Sequence, residues 1–281
     1  MRVKPSTMSP ADGCIWVTGA SSGIGRALAL ELARRGWIVA ATARGASDLE
    51  SLALEAQGLP GAIRPFPADV TDRHAMLIAV TSIEAALGPI AVAVFNAGIY
   101  LPVDALALDA TAFERSFTVN VLGTVYGLEP LLPLMIARGR GQVAIVSSVT
   151  GYGGLPTGAA YGATKAALIN MAECLHFDLV GAGVKVQVIN PGFVKTAATD
   201  KNQFPMPFII SAEKAARRIA DGLGRDQFEI TFPRRFTWML AAVNRFTTRR
   251  SYLGLIMWAT GWSKRKTAAR SGRASRPETA G

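Results

Sequence analysis

Apolar and polar positions along this chain switch repeatedly between a period of two and a period near three and a half. Residues 14–18, Cys-Ile-Trp-Val-Thr, predict a short buried strand; a glycine-rich turn follows, and residues 26–35 carry apolar side chains at helical spacing, with Gly36 as the stop. Residues 37–43 predict a second strand and residues 63–68 a third, after which Asp69 and Val70 lead into a helix opening at Thr71 or Asp72. Residues 90–95 are apolar without interruption, the pattern of a strand covered on both faces. A long helical stretch over 112–137 holds Asn120 between Val119 and Val121, residues 142–148 read as a buried strand ending in hydroxyls, and residues 184–189 predict another strand. Strands alternating with helices predict the α/β class, a doubly wound Rossmann-type parallel sheet with helices on both faces.

The chemistry sits at the ends of these elements. Tyr161 and Lys165 are four apart, which on a helix puts both side chains on one face. A phenol with an ordinary pKa of about 10 is a poor acid or base near neutrality, and a cation one turn away is expected to favour the phenolate. Ser148, thirteen positions before Tyr161, falls at the carboxyl edge of the predicted sheet, where open α/β folds bind ligands. Near the start, Gly19, Ser21, Ser22, Gly23, Ile24 and Gly25 form a turn between strand and helix, with a second strand completing the unit within roughly thirty residues. Gly19 allows the sharp turn, Gly23 lets a diphosphate approach the backbone, and Gly25 permits close helix packing, while the helix amides face the phosphates.

Taken together, the Tyr161 and Lys165 pair, the preceding Ser148, the Gly19, Gly23, Gly25 turn, the Asn96, Ala97, Gly98 segment, Asn120, and Pro191 with Gly192 resemble the classical short-chain dehydrogenase/reductase family, in the family's order and from about Cys14 to Phe232. The resemblance implies hydride transfer between a nicotinamide cofactor and a carbonyl or secondary alcohol, with Asn120, Ser148, Tyr161 and Lys165 as catalytic residues. It implies that Asp69 and Val70 meet the adenine, that Asn96 joins neighbouring strands, and that Ala97 and Gly98 line the cofactor path. Lys165 would also hold the nicotinamide ribose, Pro191, Gly192, Val194 and Thr196 would meet the nicotinamide amide and diphosphate, and residues 197–210 would cover a hydrophobic substrate. It further implies that Asn120 disturbs its helix and holds a water against Lys165, and that this helix and the Tyr161 helix join subunits into a dimer or tetramer. At the end of the second strand, where relatives that prefer NAD carry an acidic residue, this chain has Ala43 followed by Arg44. A guanidinium there pairs with a 2′-phosphate, assisted by Ser22, so NADP(H) is expected over NAD(H). Plainer readings stand beside these: Arg44 as a solvated loop residue, Asp69 as a helix cap, Asn120 as a satisfied core amide. A ketoacyl reductase acting on carrier-linked chains, or a cofactor-binding scaffold without chemistry, are the alternative functions.

The 281 residues, half of them apolar, suffice for one full core. Through Pro233 acidic and basic residues are equal in number; from Arg234 onward eleven Lys or Arg face one acid, Glu278, so the whole excess of ten belongs to that end. The expected division is a flexible 1–13, a dehydrogenase/reductase domain over 14–233, an apolar and basic helical extension over 234–266, and a disordered 267–281. Residues 236–246 and 252–262 are each too short to span a bilayer, and are expected either to pack over the cleft, to join subunits or to lie peripherally on a membrane. No motif for a specific nucleic acid accompanies the basic end, and no metal-ligand spacing is present. Cys14 and Cys174 are expected as small buried hydrophobes in a reducing, cytoplasmic compartment. No secretory leader is read in the first thirteen residues.

Overall fold

A computed structural model describes residues 7–196, 199, 206 and 208–262. Seven parallel strands form one sheet in the order β3-β2-β1-β4-β5-β6-β7. They are β1 Cys14–Thr18, β2 Ile38–Thr42, β3 Ala62–Pro65, β4 Ile90–Phe95, β5 Gly141–Val146, β6 Val184–Pro191 and β7 Glu229–Phe232. The helices are α1 Gly23–Arg34, α2 Ala46–Glu55, α3 Arg73–Leu87, α4 Ala110–Phe117, α5 Gly123–Ala137, α6 Ala159–Leu179, α7 Ala212–Leu223, α8 Arg234–Phe246 and α9 Arg249–Ala259. The chain is thus a doubly wound α/β fold with a C-terminal helical extension. Strand order reverses at β1, which pairs with β2 on one side and β4 on the other. A crevice opens at such a switch point, beyond the carboxyl ends of the strands.

Period-two alternation in β1 divides the core. Ile15 and Val17 join α1, α2 and α7 residues such as Leu28, Leu49 and Ile219 on one face, while Trp16 joins Met76, Leu128, Leu131 and Leu168 from α3, α5 and α6 on the other. Trp16 meets Phe95 edge to face at 5.5 Å and donates its indole N–H to Thr42 Oγ1 at 2.9 Å. Two buried glutamines on neighbouring strands are linked: Gln142 donates to Gln187 Oε1 at 2.7 Å, and Gln187 donates to Gln227 O at 2.7 Å.

Several boundaries differ from the periodicity. Helix α1 begins at Gly23, three residues before its apolar stripe, because two glycines can be helical without adding to the pattern. The stretch over 112–137 is broken at Thr118–Leu122 by a π-helical turn. Asp72, not Asp69, caps α3, accepting from His74 N and Ala75 N. Cys14 is buried, but Cys174 is exposed: the inward face of α6 runs through Leu168, Ala172 and Leu179 and turns Cys174 outward. Of the expected flexible 1–13, residues 10–12 form a 3-10 turn, and Asp12 pairs with Arg140 at 2.7 Å. The reading of 267–281 as disordered lies outside the described residues, as do residues 197–198, 200–205 and 207 of the expected substrate cover.

Candidate active site at the carboxyl edge of the sheet

The end of β1 and the end of β4 are sewn together around the glycine turn. Thr18 Oγ1 accepts from the amides of Asn96 at 3.0 Å and Ala97 at 3.1 Å, and Asn96 Nδ2 donates to the carbonyls of Thr18 and Gly19 at 3.1 and 3.2 Å. Gly19 has φ of 67°, and a Cβ there would lie 2.7 Å from Ala97 Cα. A Cβ on Gly25 would run into the Gly19 carbonyl and lie 2.5 Å from Asn96 Nδ2. Ser22 occupies the N-cap of α1 in extended conformation, yet its side chain makes no cap bond. The first-turn amides, at the positive end of the helix dipole, are left for an anionic partner. Thr196 reaches the same place from the β6 side: a Cβ on Gly23 would meet its methyl at 3.3 Å. A backbone cradle that any side chain would fill, at the amino end of a twelve-residue helix, fits the diphosphate of a dinucleotide.

Further along the crevice, Ala43 is buried and Arg44 exposed just after β2. Asp69 accepts from Thr71 N and Thr71 Oγ1 at 2.9 and 2.8 Å, which fixes the turn before α3, and buried Val70 packs under Gly123. Ser21 and Ile24 are partly buried within the turn. Pro191 ends β6, Gly192 N donates to Phe232 O at 2.8 Å, and buried Val194 bridges to Ile210.

Ser148, Tyr161, Lys165 and Asn120 converge beyond β4 and β5. Ser148 and Tyr161 line one cavity, and the Ser148 hydroxyl accepts from Thr150 N at 3.2 Å, which starts a 3-10 turn. Lys165 is buried; its Nζ donates to Val146 O at 2.8 Å and lies 5.4 Å from the centroid of the Tyr161 ring. The π-helical turn carries Asn120 into the core, where its Oδ1 accepts from Ile99 N at 2.8 Å and its Nδ2 donates to Ile99 O at 3.1 Å and Thr164 Oγ1 at 3.0 Å. Thr164 in turn donates to Tyr161 O at 2.7 Å. A Cβ on Gly98 would meet Asn120 Oδ1 at 3.3 Å and Lys165 Nζ at 3.7 Å, so glycine keeps open the space beside both.

The electrostatics differ from the simple expectation of a lysine-lowered phenol. Burial pushes Tyr161 up to about 12, the Ser148 hydrogen bond pulls the other way, and Tyr100 adds to the rise. Burial brings Lys165 down to about 7. The Lys165 amine lies over the ring, and desolvation of the phenol outweighs the help of Ser148. Near neutrality this leaves a firmly protonated phenol beside an amine poised to exchange protons.

The substrate side was mostly invisible to sequence reasoning. Tyr100 meets Tyr161 edge-on at 5.2 Å, and its hydroxyl is 2.9 Å from Thr157 Oγ1, closing one wall. Thr157 has φ of 58°, and Val103 N donates to its carbonyl at 2.9 Å. Leu155, Pro156, Val149 and Phe193 line the cavity with them. Behind this wall, Val149 and Phe193 pack with Leu240 of α8 and Tyr252 of α9, with Met206 and Leu155 against the same cluster. Tyr252 is 1% exposed and donates to Gly154 O at 3.3 Å; Asn244 donates to Tyr152 O; and Tyr152 OH and Asn190 Nδ2 both donate to Glu229.

The sequence profile described as short chain dehydrogenase matches residues 13–205. An uncharacterized oxidoreductase of Myxococcus xanthus is 41% identical over 229 residues, 82% of this chain and 89% of its own length. The 3-oxoacyl-(acyl-carrier-protein) reductase of Thermotoga maritima is 35% identical over 185 residues, 66% of this chain and 75% of its own. Among solved structures, the alcohol dehydrogenase of the archaeon Thermococcus sibiricus complexed with 5-hydroxy-NADP superposes with a TM-score of 0.71 at 25% identity, covering 78% of this chain and 95% of that one. The profile spans most of the residues that build the crevice, and the sequence likeness extends over four-fifths of the chain: it belongs to the short-chain dehydrogenase/reductase family and is an oxidoreductase of the classical kind.

Proposed function

We propose that this oxidoreductase uses NADP(H) to interconvert a carbonyl and a secondary alcohol on a hydrophobic small molecule. The observation that carries the reading is that Ser148 and Tyr161 line one largely apolar cavity, with Lys165 against the Tyr161 ring and Asn120 bonded to Thr164 of the same helix. A bound nicotinamide supplies the hydride to the carbonyl carbon. Ser148 and Tyr161 hydrogen-bond the carbonyl oxygen and polarise it. Tyr161, held protonated by burial, gives its proton to that oxygen as the alcohol forms. Lys165, brought near neutrality, returns a proton toward the phenolate, and Asn120 holds the surrounding backbone through Ile99 and Thr164. In the cradle, Gly19, Gly23, Gly25 and the α1 amides hold the diphosphate, with Asp69, Val70, Gly98, Pro191, Gly192, Val194 and Thr196 along the remaining length.

Arg44 supports the choice of NADP(H): it is exposed where β2 ends, and no carboxylate occupies the neighbouring Ala43 position to repel a 2′-phosphate. The apolar lining of Leu155, Pro156, Val149 and Phe193 supports a hydrophobic substrate. Exposed Phe117, Leu122 and Val125 on the α4–α5 side, and Phe177 on α6, support a homo-oligomer built on these helices. A carrier-linked ketoacyl substrate is the second reading, favoured by the likeness to the Thermotoga maritima reductase.

The test is nicotinamide absorbance across a panel of ketones, alcohols and a ketoacyl thioester. Tyr161→Phe is expected to lower reduction at least about a hundredfold while NADPH binding survives. Turnover near wild type in that variant overturns the scheme. Wild type is expected to favour NADPH in kcat/KM, and Arg44→Asp to reverse the preference; equal use of NADH by wild type rejects the cofactor assignment.

A further inference from the structure

We propose that the outer face of the α8–α9 pair is a docking surface for an anionic lipid membrane, a property separate from hydride transfer. A helix packed on a globular domain ordinarily turns its apolar stripe inward and polar side chains to water. Here α8 and α9 are apolar on both sides. Leu240 and Tyr252 face inward into the cluster with Val149 and Phe193. On the outside, Phe246 is 83% exposed and Trp258 77%, and Met239, Leu253, Leu255 and Met257 are exposed with them. Six large apolar side chains are thus exposed over two helices consecutive in sequence, more than the single scattered apolar residues normal on a surface.

Charge identifies the occupant. Arg245 and Arg250 are exposed on the same two helices, Arg249 holds Asn244 Oδ1 at 2.7 Å, and residues 234–262 contain no acidic residue. Lys264, Arg265 and Lys266 follow directly in the sequence. Exposed aromatic and aliphatic side chains interspersed with arginines match a bilayer interface with negative headgroups, where apolar groups enter the acyl boundary and cations stay among phosphates. A second copy of the same face fits worse, because it would bring arginines against arginines with no carboxylate to receive them. The position has a consequence for the proposed reaction. The inward residues of these helices pack behind the cavity wall, so docking would hold the cavity about one helix diameter, roughly 10 Å, from the lipid surface. A lipophilic substrate could then enter from the membrane.

The test uses the full-length protein and vesicles of phosphatidylcholine, pure or mixed equally with phosphatidylglycerol, in a co-sedimentation assay. Wild type is expected to sediment with the mixed vesicles and far less with pure phosphatidylcholine, and to release as salt is raised. Arg245→Gln with Arg250→Gln is expected to weaken binding to the mixed vesicles by at least about tenfold. Phe246→Ser with Trp258→Ser is expected to abolish it, while thermal unfolding and reduction of a water-soluble ketone stay at wild-type values. Failure of wild type to bind either vesicle overturns the proposal, as does binding undiminished in both double variants. A loss of oligomer mass in the Phe246 and Trp258 variant without vesicle binding by wild type reassigns the face to a subunit contact and also overturns it. Because the soluble-ketone assay reads the reaction without lipid, failure of membrane docking and failure of the reductase reading are separate results.

Discussion

On the cofactor side of the crevice, Thr18, Gly19, Asn96 and Ala97 are joined by the Thr18 hydroxyl and the Asn96 amide meeting main-chain atoms of the two adjoining strand ends, whereas on the substrate side the loop over 149–158 is held by side chains from distant elements: Tyr100 on Thr157, Asn244 on Tyr152, Tyr252 on Gly154. The first arrangement has almost no freedom to change, because a β-carbon at Gly19 or Gly25 collides with backbone. The second can change one side chain at a time. A common dinucleotide and a variable substrate fit that division: the half that meets the constant ligand is built from constraints on backbone, and the half that meets the variable ligand from replaceable side chains.

The sharpest way to break the comparison is to make one substitution on both sides. Gly25→Ala pushes a methyl into the main-chain carbonyl of Gly19 and against Asn96 Nδ2, which is tied down by the carbonyls of Thr18 and Gly19. NADPH affinity is expected to fall at least about a hundredfold, with a stability loss in the range of about 1–3 kcal/mol typical of overpacking. Gly154→Ala meets nothing within 4 Å and should change stability by less than about 0.5 kcal/mol. Isothermal titration with NADPH and thermal unfolding check both. If Gly25→Ala binds NADPH normally, the cofactor half is more plastic than its geometry implies.

A second test separates the proton-handling residues, which stand at the boundary of the two halves. Lys165, brought down to about 7, loses its proton as pH rises through neutrality, while Tyr161, pushed up to about 12, keeps its own. Reduction at saturating substrate is therefore expected to decline above about pH 7, approaching tenfold per unit where proton return limits turnover, and alcohol oxidation, which needs the phenolate, to rise with pH. Steady-state kcat in both directions, measured from about pH 6 to pH 9, gives the result. A flat reduction profile, with chemistry shown to limit the rate, would remove Lys165 from the proton path and leave it as a positioning residue held by Val146 O.

How much of this could be seen in sequence follows the same line. The strands at 14–18 and 90–95, the glycine turn, and the Tyr161 and Lys165 pair were legible because each is a local pattern: a period, a run, a spacing of four. The resemblance pointed to Asn120 and to a disturbed helix around it, but periodicity alone showed neither the place nor the kind of the π-helical turn, since apolar residues continue through it. Tyr100 and Thr157 are 57 residues apart, and Tyr252 and Gly154 are 98 apart. No local rule links positions so distant, and no motif singles out Tyr100 or Tyr252. Cys174 was misplaced for a related reason: its neighbours are apolar, but its phase on α6 turns it outward. The phenol's electrostatics also exceeded what spacing can tell, because a lysine one turn away helps a phenolate only by as much as its own desolvation allows.

A last pair of substitutions, at Tyr252, probes how the substrate half is held. Tyr252 fills the cluster behind the cavity and also reaches Gly154 O at 3.3 Å, so two substitutions divide its role. Tyr252→Ala empties a fully buried aromatic site and is expected to cost about 3–5 kcal/mol, with α8 and α9 loosening from the domain and KM for the ketone rising. Tyr252→Phe keeps the ring and removes one long hydrogen bond, which is expected to cost about 0.5–1.5 kcal/mol, to leave NADPH affinity unchanged, and to shift only substrate KM. Thermal unfolding together with KM for cofactor and ketone separates the two. Because no hydrogen bond among the described residues joins the cofactor half to Tyr252, a change in NADPH affinity in Tyr252→Phe would mean that the halves are mechanically coupled through Val149 and Phe193, and the division between fixed backbone and replaceable side chains would have to be drawn elsewhere.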